Sequence, residues 1–502
     1  MTNIILFSQN LIIDSLIKKL QRKKNTGKYI FLTTQFLFEH EREKIGRSFP
    51  GAEFRSFADF LTDEDMARCD EDAFVNLSMP YEEYLHRMKV LKNEMVLRKI
   101  KDEFPVFRGF ICCDDLGIDS EVWKNGGFSW LEGEYYYPQH QLSGFKSKIK
   151  NRLKKYKLVR MAYEKIKPKH NNEVEDVYVA HYQGKKYIFI GRMNRIDYRL
   201  DIPFKLSKEE RGKFNRGEYE EKESCQYLTT WHEHWKCHVP DDERYDVRWL
   251  QDGYLPPNYT EYGYDFIPKN VQYYAWDVLG TKLFKNRNLP VSVIPFRKKL
   301  YMPVPKFPKE VKNVLIVASG AGDWTALKNR SDDDLLVYAF AQMAKRFPEI
   351  DFVYRCHPTW IHPLNVGVHS IARVQEYFSW LNLPNLHVSA HIPIQTTGQG
   401  DFKLTFPRSS LEEDLAKADF VFGEHSISMV DAAFKEIPFA SVNLTKRRNF
   451  FCGITDMGFP ACESLDDIEM TLHEITNEKF QQGYLKAVEA YNKMTDEEEP
   501  CK

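Results

Sequence analysis

Along the first hundred positions, short apolar runs alternate with stretches in which apolar side chains return every three or four residues. The runs Asn3–Phe7, Tyr29–Thr33 and Glu53–Phe57 read as strands, and Asn10–Leu20 and Phe36–Phe49 as the helices between them. A long polar helix begins near Tyr81 and ends at Glu103, and Phe110–Cys113 is a further strand, closed by Asp114 and Asp115. Strand–helix alternation with short connections predicts a parallel sheet covered by helices. After Gly144 the pattern turns basic and helical, and strands resume at Cys225–Trp231 and Asp246–Leu250. Five prolines fall between Asn288 and Lys309, a density that favours extended chain over helix or central strand.

A second strand–helix series follows. Val314–Val317 is a strand, Asp332–Arg346 a helix, Asp351–Tyr354 and Asn385–Val388 strands. Ser409 and Ser410 open a helix as a capping box with Glu412 and Glu413. Asp419–Phe422 and Phe439–Val442 are strands around a helix at Ser428–Lys435, and Leu465–Thr476 and Lys479–Met494 close the chain in helix. The predicted fold is α/β: two Rossmann-like lobes with a cleft between them and a basic helical insertion in the first. The boundaries are 1–290 for the first lobe with its insertion at about 80–220, 291–310 for the linker, 311–475 for the second lobe, and 476–502 for a terminal helix and acidic tail.

At 502 residues the chain exceeds one ordinary core, and 43% hydrophobic residues suffice to fill two. Lys and Arg (71) balance Asp and Glu (72), so net charge supplies no pull toward nucleic acid. The balance conceals one asymmetry: 144–169 holds 11 Lys or Arg and one Glu. Within it Phe145, Ile149, Leu153, Tyr156 and Tyr163 fall at helical spacings, which makes an amphipathic helix. Such a helix is either a solvated face docked by its stripe or a surface for anionic head groups or an anionic glycan. Nine cysteines without a CxxC pair fit reduced thiols and a cytoplasmic setting. The N-terminus lacks a basic leader and a small-residue cleavage site, and no run reaches 18 apolar residues. The acidic end, Thr495–Pro500, reads as a linker and favours one module of a longer polypeptide.

Four loops that follow predicted strands carry candidate chemistry, since ligands bind at the carboxyl ends of strands in open parallel sheets. In Ser319-Gly320-Ala321-Gly322-Asp323 a small-residue turn lets backbone approach a phosphate. In Tyr354-Arg355-Cys356-His357-Pro358 the proline holds the histidine in extended geometry, and Arg355 adds a positive charge. In Phe422–Pro438, Ser426 and Ser428 lie at a helix start, where hydroxyls and amides suit a phosphate oxygen or simply cap the helix. Asp431 sits one turn in, within reach of a ribose hydroxyl. In Trp249–Asn258, Asp252 precedes Gly253 on a strand-to-loop turn and serves as general acid or base if it faces a cleft.

Together these loops resemble bacterial GT-B glycosyltransferases that use CMP-activated ulosonic acids, nearest the Kdo transferases of capsule and lipopolysaccharide assembly. The His357-Pro358 pair, the His425-Ser426-x-Ser428 stretch leading to a helix, and the Asp252-Gly253 strand end carry the likeness. It covers roughly 311–450 and, in the first lobe, only Trp249–Tyr254. The resemblance implies a metal-independent transferase with no cofactor beyond its CMP-sugar donor. It implies that the second lobe holds CMP-Kdo or another CMP-ulosonic acid, through Ser319, Gly320, Gly322, Arg355, His357 and Pro358, together with Glu424, His425, Ser426, Ser428 and Asp431. Family members often carry two acidic residues before the glycine, whereas this chain reads Gln251-Asp252-Gly253, so either Asp252 carries the acid/base role or that function is altered. In a retaining enzyme Asp323 attacks the anomeric carbon and forms a glycosyl adduct; in an inverting one Asp252 is the base and Asp323 orients substrate or only makes the turn.

The stretch Trp231–His238 sets His232, His234, Cys237 and His238 close together without a recognised zinc spacing. His232 and His234 are read as acceptor-binding or structural, and Tyr254 as a flat face for a sugar. The acceptor is a surface glycan, lipid-linked in one version, met at the inner face of the cytoplasmic membrane through 144–169. The alternatives are a CMP-sialate sialyltransferase and a catalytically silent GT-B module that binds glycan or membrane.

Overall fold

The computed structural model describes residues 1–7, 11–33, 36–73, 81–113, 118–134, 177–182, 185–190, 226–230, 246–250, 272–275, 291–293, 301–319, 332–357, 371–390, 396–397, 403–404, 409–424, 426–444 and 452–496. These fall into two compact units, one of Met1–His140, Thr260–Ile267 and Pro303–Val488, the other of Gln141–Tyr259, Pro268–Met302 and Glu489–Lys502.

The first unit opens with β1 (Thr2–Phe7), α1 (Ile13–Lys23), β2 (Lys28–Thr33), α2 (Glu39–Ser48), β3 (Glu53–Ser56) and a 3-10 turn at Phe57–Phe60. It continues with α3 (Asp63–Ala73), α4 (Tyr81–Glu103), β4 (Phe107–Cys112), α5 (Ser120–Asn125) and β5 (Phe128–Trp130). The strands pair parallel in the order β3-β2-β1-β4-β5. The unbroken apolar run of β1 follows from burial on both faces. Ile5 and Phe7 pack with Leu16, Leu20 and Ile45 of α1 and α2, whereas Ile4 and Leu6 pack with Val96, Ile100 and Trp123 of α4 and α5. The stretch from 81 to 130, expected within an insertion, therefore supplies β4, β5 and two covering helices of the first sheet.

The second unit contains β6 (Val177–Tyr182), β7 (Lys185–Ile190), β8 (Gln226–Thr230), β9 (Asp246–Leu250), β10 (Gln272–Ala275) and β11 (Val291–Val293). They form one sheet in the order β11-β10-β9-β8-β7-β6, antiparallel between β6 and β7 and parallel elsewhere. The strands at 226–230 and 246–250, expected in the first lobe, belong to this separate sheet. Local patterning marks a strand but not its partner, because pairing is decided by distant chain. The proline-rich linker also contributes a strand, β11, at the sheet edge, where flanking Pro290 and Pro295 remove no central ladder bond. The basic segment 144–169 lies outside the described residues.

The first unit resumes with β12 (Asn313–Val317), α6 (Asp332–Arg346), β13 (Asp351–Arg355), α7 (Ile371–Leu381) and β14 (Leu386–Ser389), then the two-stranded β15 (Thr396–Thr397) and β16 (Lys403–Leu404). After these come α8 (Leu411–Leu415), β17 (Phe420–Gly423), α9 (Ile427–Phe434), β18 (Phe439–Val442), α10 (Cys452–Thr455), β19 (Ala461–Cys462), α11 (Leu465–Glu474) and α12 (Glu478–Asp496), of which the residues from Glu489 on fall to the second unit. The large sheet runs β14-β13-β12-β17-β18-β19 and is parallel throughout. Renumbered by appearance, that order is the doubly wound Rossmann order. The fold is thus α/β with two parallel, Rossmann-like lobes, the GT-B arrangement.

The two lobes of this unit are joined through the start of α2. Phe38 is fully buried in the second lobe's core and stacks on Tyr377 of α7, centroids 4.3 Å apart. Arg373 of α7, 2% exposed, forks onto Glu41 of α2 through Nε (2.5 Å) and Nη2 (2.7 Å) and donates through Nη1 to Asp334 of α6 (2.9 Å). The Phe36 carbonyl accepts from Nη2 at 2.8 Å, and the Phe38 N–H donates to Glu41 at 2.9 Å. Tyr377 donates to Glu39 at 2.6 Å; burial first, then that hydrogen bond, raises the hydroxyl's pKa and keeps it a donor. Beside them His40 is buried with its Nδ1 lacking a hydrogen-bond partner among the described residues, its ring flanked by Phe38, Tyr377 and Trp380.

Removing the cation strands two buried carboxylates, so Arg373→Met is expected to lower unfolding free energy by about 3–5 kcal/mol in urea titrations. A second expectation concerns pH. Burial, assisted by Arg373 and Lys44 and opposed by Glu41 and Glu376, holds the His40 pKa below its usual 6.5. The unfolded chain therefore takes up the proton first, so stability from neutral His40 is present above pH ~6.5 and is lost as pH falls through that value. The urea midpoint of wild type should fall more steeply from pH 7 to 5 than that of His40→Phe; parallel slopes would assign the effect elsewhere.

Candidate functional site

In the parallel sheet of the second lobe, strand order reverses between β12 and β17, and this crevice at the carboxyl edge is where open α/β sheets take ligands. Register fixes what arrives there. Val317 of β12 lies opposite Arg355 on one side and Gly423 on the other. Ser319, His357 and the Glu424–Ser426 turn, far apart in sequence, therefore leave the three central strands at one level. Pairing continues past the strand ends: the Ala318 N–H donates to the Arg355 carbonyl and the Cys356 N–H to the Ser389 carbonyl, both at 3.1 Å. Ser319 and His357 are half-buried.

Close approach of β12 and β17 explains Gly423. A Cβ there would lie 2.7 Å from Val317 Cγ2 and 3.0 Å from the Val317 carbonyl oxygen. The next residue, Glu424, is buried, and its carbonyl accepts from Ser441 Oγ of β18 at 3.0 Å, which pins the turn to the neighbouring strand. Ser426 is the N-cap of α9, its Oγ accepting from the Ser428 N–H at 3.4 Å. The cap uses only some of the amides at this helix start. Ser428 is half-buried and Asp431 is buried one turn in.

Arg355 behaves differently from a cation held out for a ligand. It is buried, and its Nη1 donates to Asp414 of α8 at 2.5 Å and to the Ser409 carbonyl at 3.1 Å. Ser389 Oγ donates to the same Asp414 oxygen at 2.7 Å, and Ser409 Oγ bonds the other. The expected capping box forms between Ser410 and Glu413, while Ser409 turns inward to this cluster. Sequence reasoning missed Asp414, which looks like one more acid in a helix's first turn. A signal existed in its neighbour, since Asp414 and buried Leu415 share the interior side of α8.

Gly320, Gly322, Asp323, Pro358 and His425 lie outside the described residues, as do Gln251, Asp252, Tyr254, His232 and His234 in the second unit. Among the described residues no group of three or more His, Cys, Asp or Glu side chains is placed to hold a metal ion, and no helix is long and apolar enough to cross a membrane.

No protein-family model matches the sequence, and no curated protein sequence matches it. Among solved structures, the chain aligns with the UDP-GlcNAc 2-epimerase of Neisseria meningitidis bound to UDP-GlcNAc at 10% identity, over 99% of this chain and 100% of that one, with a TM-score of 0.21. It aligns with apo UGT2 of Phytolacca americana at 9% identity, over 98% and 94% of the two chains, with a TM-score of 0.26. The fold assignment rests on strand order and register.

Filling the β12–β17 contact overpacks it, so Gly423→Ala is expected to cost about 1–3 kcal/mol of stability. A thermal midpoint equal to that of wild type would show that the strands part without penalty.

Proposed function

We propose that the chain is a glycosyltransferase that moves Kdo from CMP-Kdo to a bacterial surface glycan, with retention through an Asp323 adduct. The observation that carries this reading is the convergence of Ser319, His357 and the N-cap turn of α9 on one crevice of a Rossmann-ordered sheet. A crevice with small-residue backbone, an imidazole and a helix N-terminus suits a nucleoside monophosphate. His357 and the α9 amides would take the phosphate oxygens, and the reading needs no divalent metal for a donor with one phosphate.

In the first step the Asp323 carboxylate attacks the anomeric carbon as the bond to the CMP phosphate oxygen breaks, and CMP leaves with that electron pair. In the second, the acceptor hydroxyl attacks the same carbon, gives its proton to a base and frees Asp323. Two inversions give net retention. Asp252 is the proposed base, with His232, His234 and Tyr254 as acceptor contacts. The basic segment 144–169 is the proposed contact with anionic acceptor or membrane at the cytoplasmic face.

Intact-protein mass spectrometry after incubation with CMP-Kdo, without acceptor, tests the scheme. Wild type should gain the mass of one Kdo and Asp323→Asn should not, in EDTA as in its absence. Release of CMP only when a glycan is present, with no adduct, would indicate direct displacement and move the catalytic role to Asp252. An adduct with CMP-sialate and none with CMP-Kdo would make the chain a sialyltransferase. CMP binding without turnover of either donor would leave a silent binding module.

A further inference from the structure

The buried cluster around Asp414 includes Arg355, two residues before His357. Arg355 closes β13, and His357 follows two residues later, the interval that returns a side chain to the same face of a strand. The backbone between them is held on both sides, at Arg355 by β12 and at Cys356 by β14. Asp414 then gathers the side chains of this corner: Arg355 Nη1 (2.5 Å) and Ser389 Oγ (2.7 Å) on one oxygen, Ser409 Oγ on the other. Ser409 closes the ring through its carbonyl to Arg355 (3.1 Å) and its N–H to the Ala390 carbonyl (3.0 Å).

A buried ion pair is a poor way to gain stability, because desolvation cancels much of the attraction and an apolar pair of like volume serves as well. What it adds is direction. The guanidinium and carboxylate accept one arrangement, and here that arrangement ties the end of β13 to β14 and to the first turn of α8. We infer that Asp414 is a positioning residue: through Arg355 it fixes where the His357 imidazole stands at the sheet edge. The inference rests on the reading of His357 as the group that meets the donor phosphate. Arg355 is on this view a strut whose charge Asp414 matches, and the phosphate is met by the imidazole.

The test uses the full chain and two readouts. The Cε1–H resonances of its 15 histidines are recorded by carbon–proton NMR, with His357 assigned through His357→Gln. Asp414→Asn and Ser409→Ala should both displace the His357 resonance and leave that of His473, which packs on Phe347 beyond this corner. Tyr484→Phe, which deletes a buried acceptor for the Phe439 N–H elsewhere in the lobe, should leave His357 in place. Titration with CMP is expected to show affinity about tenfold weaker in Asp414→Asn, the loss of roughly one charged hydrogen bond, and no further loss when that change is added to His357→Ala. A His357 resonance unmoved by both variants, or losses that multiply in the double variant, would overturn the inference. Should Asp414→Asn fail to fold, Ser409→Ala, which removes the bond that orients the other Asp414 oxygen, decides the question. Displacement of the His357 resonance by the variants, with a wild type that binds no CMP, would sustain the positioning role and refute the donor reading.

Discussion

One guanidinium holds the first unit together. Arg373 reaches from the second lobe to Glu41 of the first and to Asp334 of its own, with every one of its nitrogens engaged and almost no solvent contact. Taking a cation and two carboxylates out of water is unfavourable by several kcal/mol each, recovered only where geometry is near ideal and the remaining lone pairs are used. Around Glu41 the surroundings help: Phe38 lies beneath the guanidinium at 4.1 Å and donates its N–H to Glu41. The start of α2 is thereby part of the second lobe's core as much as of the first. A rotation of one lobe against the other would have to break this cluster.

Most elements were legible because they obey local rules. The helix at Asp332–Arg346 and the strands at Asp246–Leu250 and Phe439–Val442 have the predicted bounds, since an amphipathic period and short apolar runs between polar turns leave little ambiguity. Patterning read for strands places no element between Tyr354 and Asn385, although Ile371, Val374, Tyr377, Phe378 and Leu381 of the helix there recur at helical spacing. Arg373 lies on that helix and is missed with it. Glu41 offered no signal, because a glutamate in a first helical turn is ordinarily solvated and its burial depends on a residue more than three hundred positions away. Sheet membership was hidden for the same reason: the run Gln226–Thr230 is a strand in any context, and only its neighbours say which sheet it enters.

The candidate site divides along a similar line. That Ser319, His357 and Ser426 would follow strands was readable from where the apolar runs stop. That they stand side by side depends on β12 lying between β13 and β17, with Val317 in register with both Arg355 and Gly423. For Arg355 the charge is visible in the sequence, whereas its partner Asp414, 59 residues on, is not. A residue's charge says little about its task until the counter-charge is located.

The Arg373–Glu41 tie spans 332 residues, and that length has a meaning during synthesis. A ribosome adds about 5–20 residues per second, so Glu41 and Phe38 emerge roughly 17–66 s before the helix that will cover them. Once Trp130 has emerged, the strands of the first sheet are all made while the start of α2 still faces water. An aromatic ring waiting for its lid is the kind of surface that attracts other unfinished chains. The newborn protein is thus most in need of a chaperone while its second half is being made, and the need ends when α7 delivers Arg373.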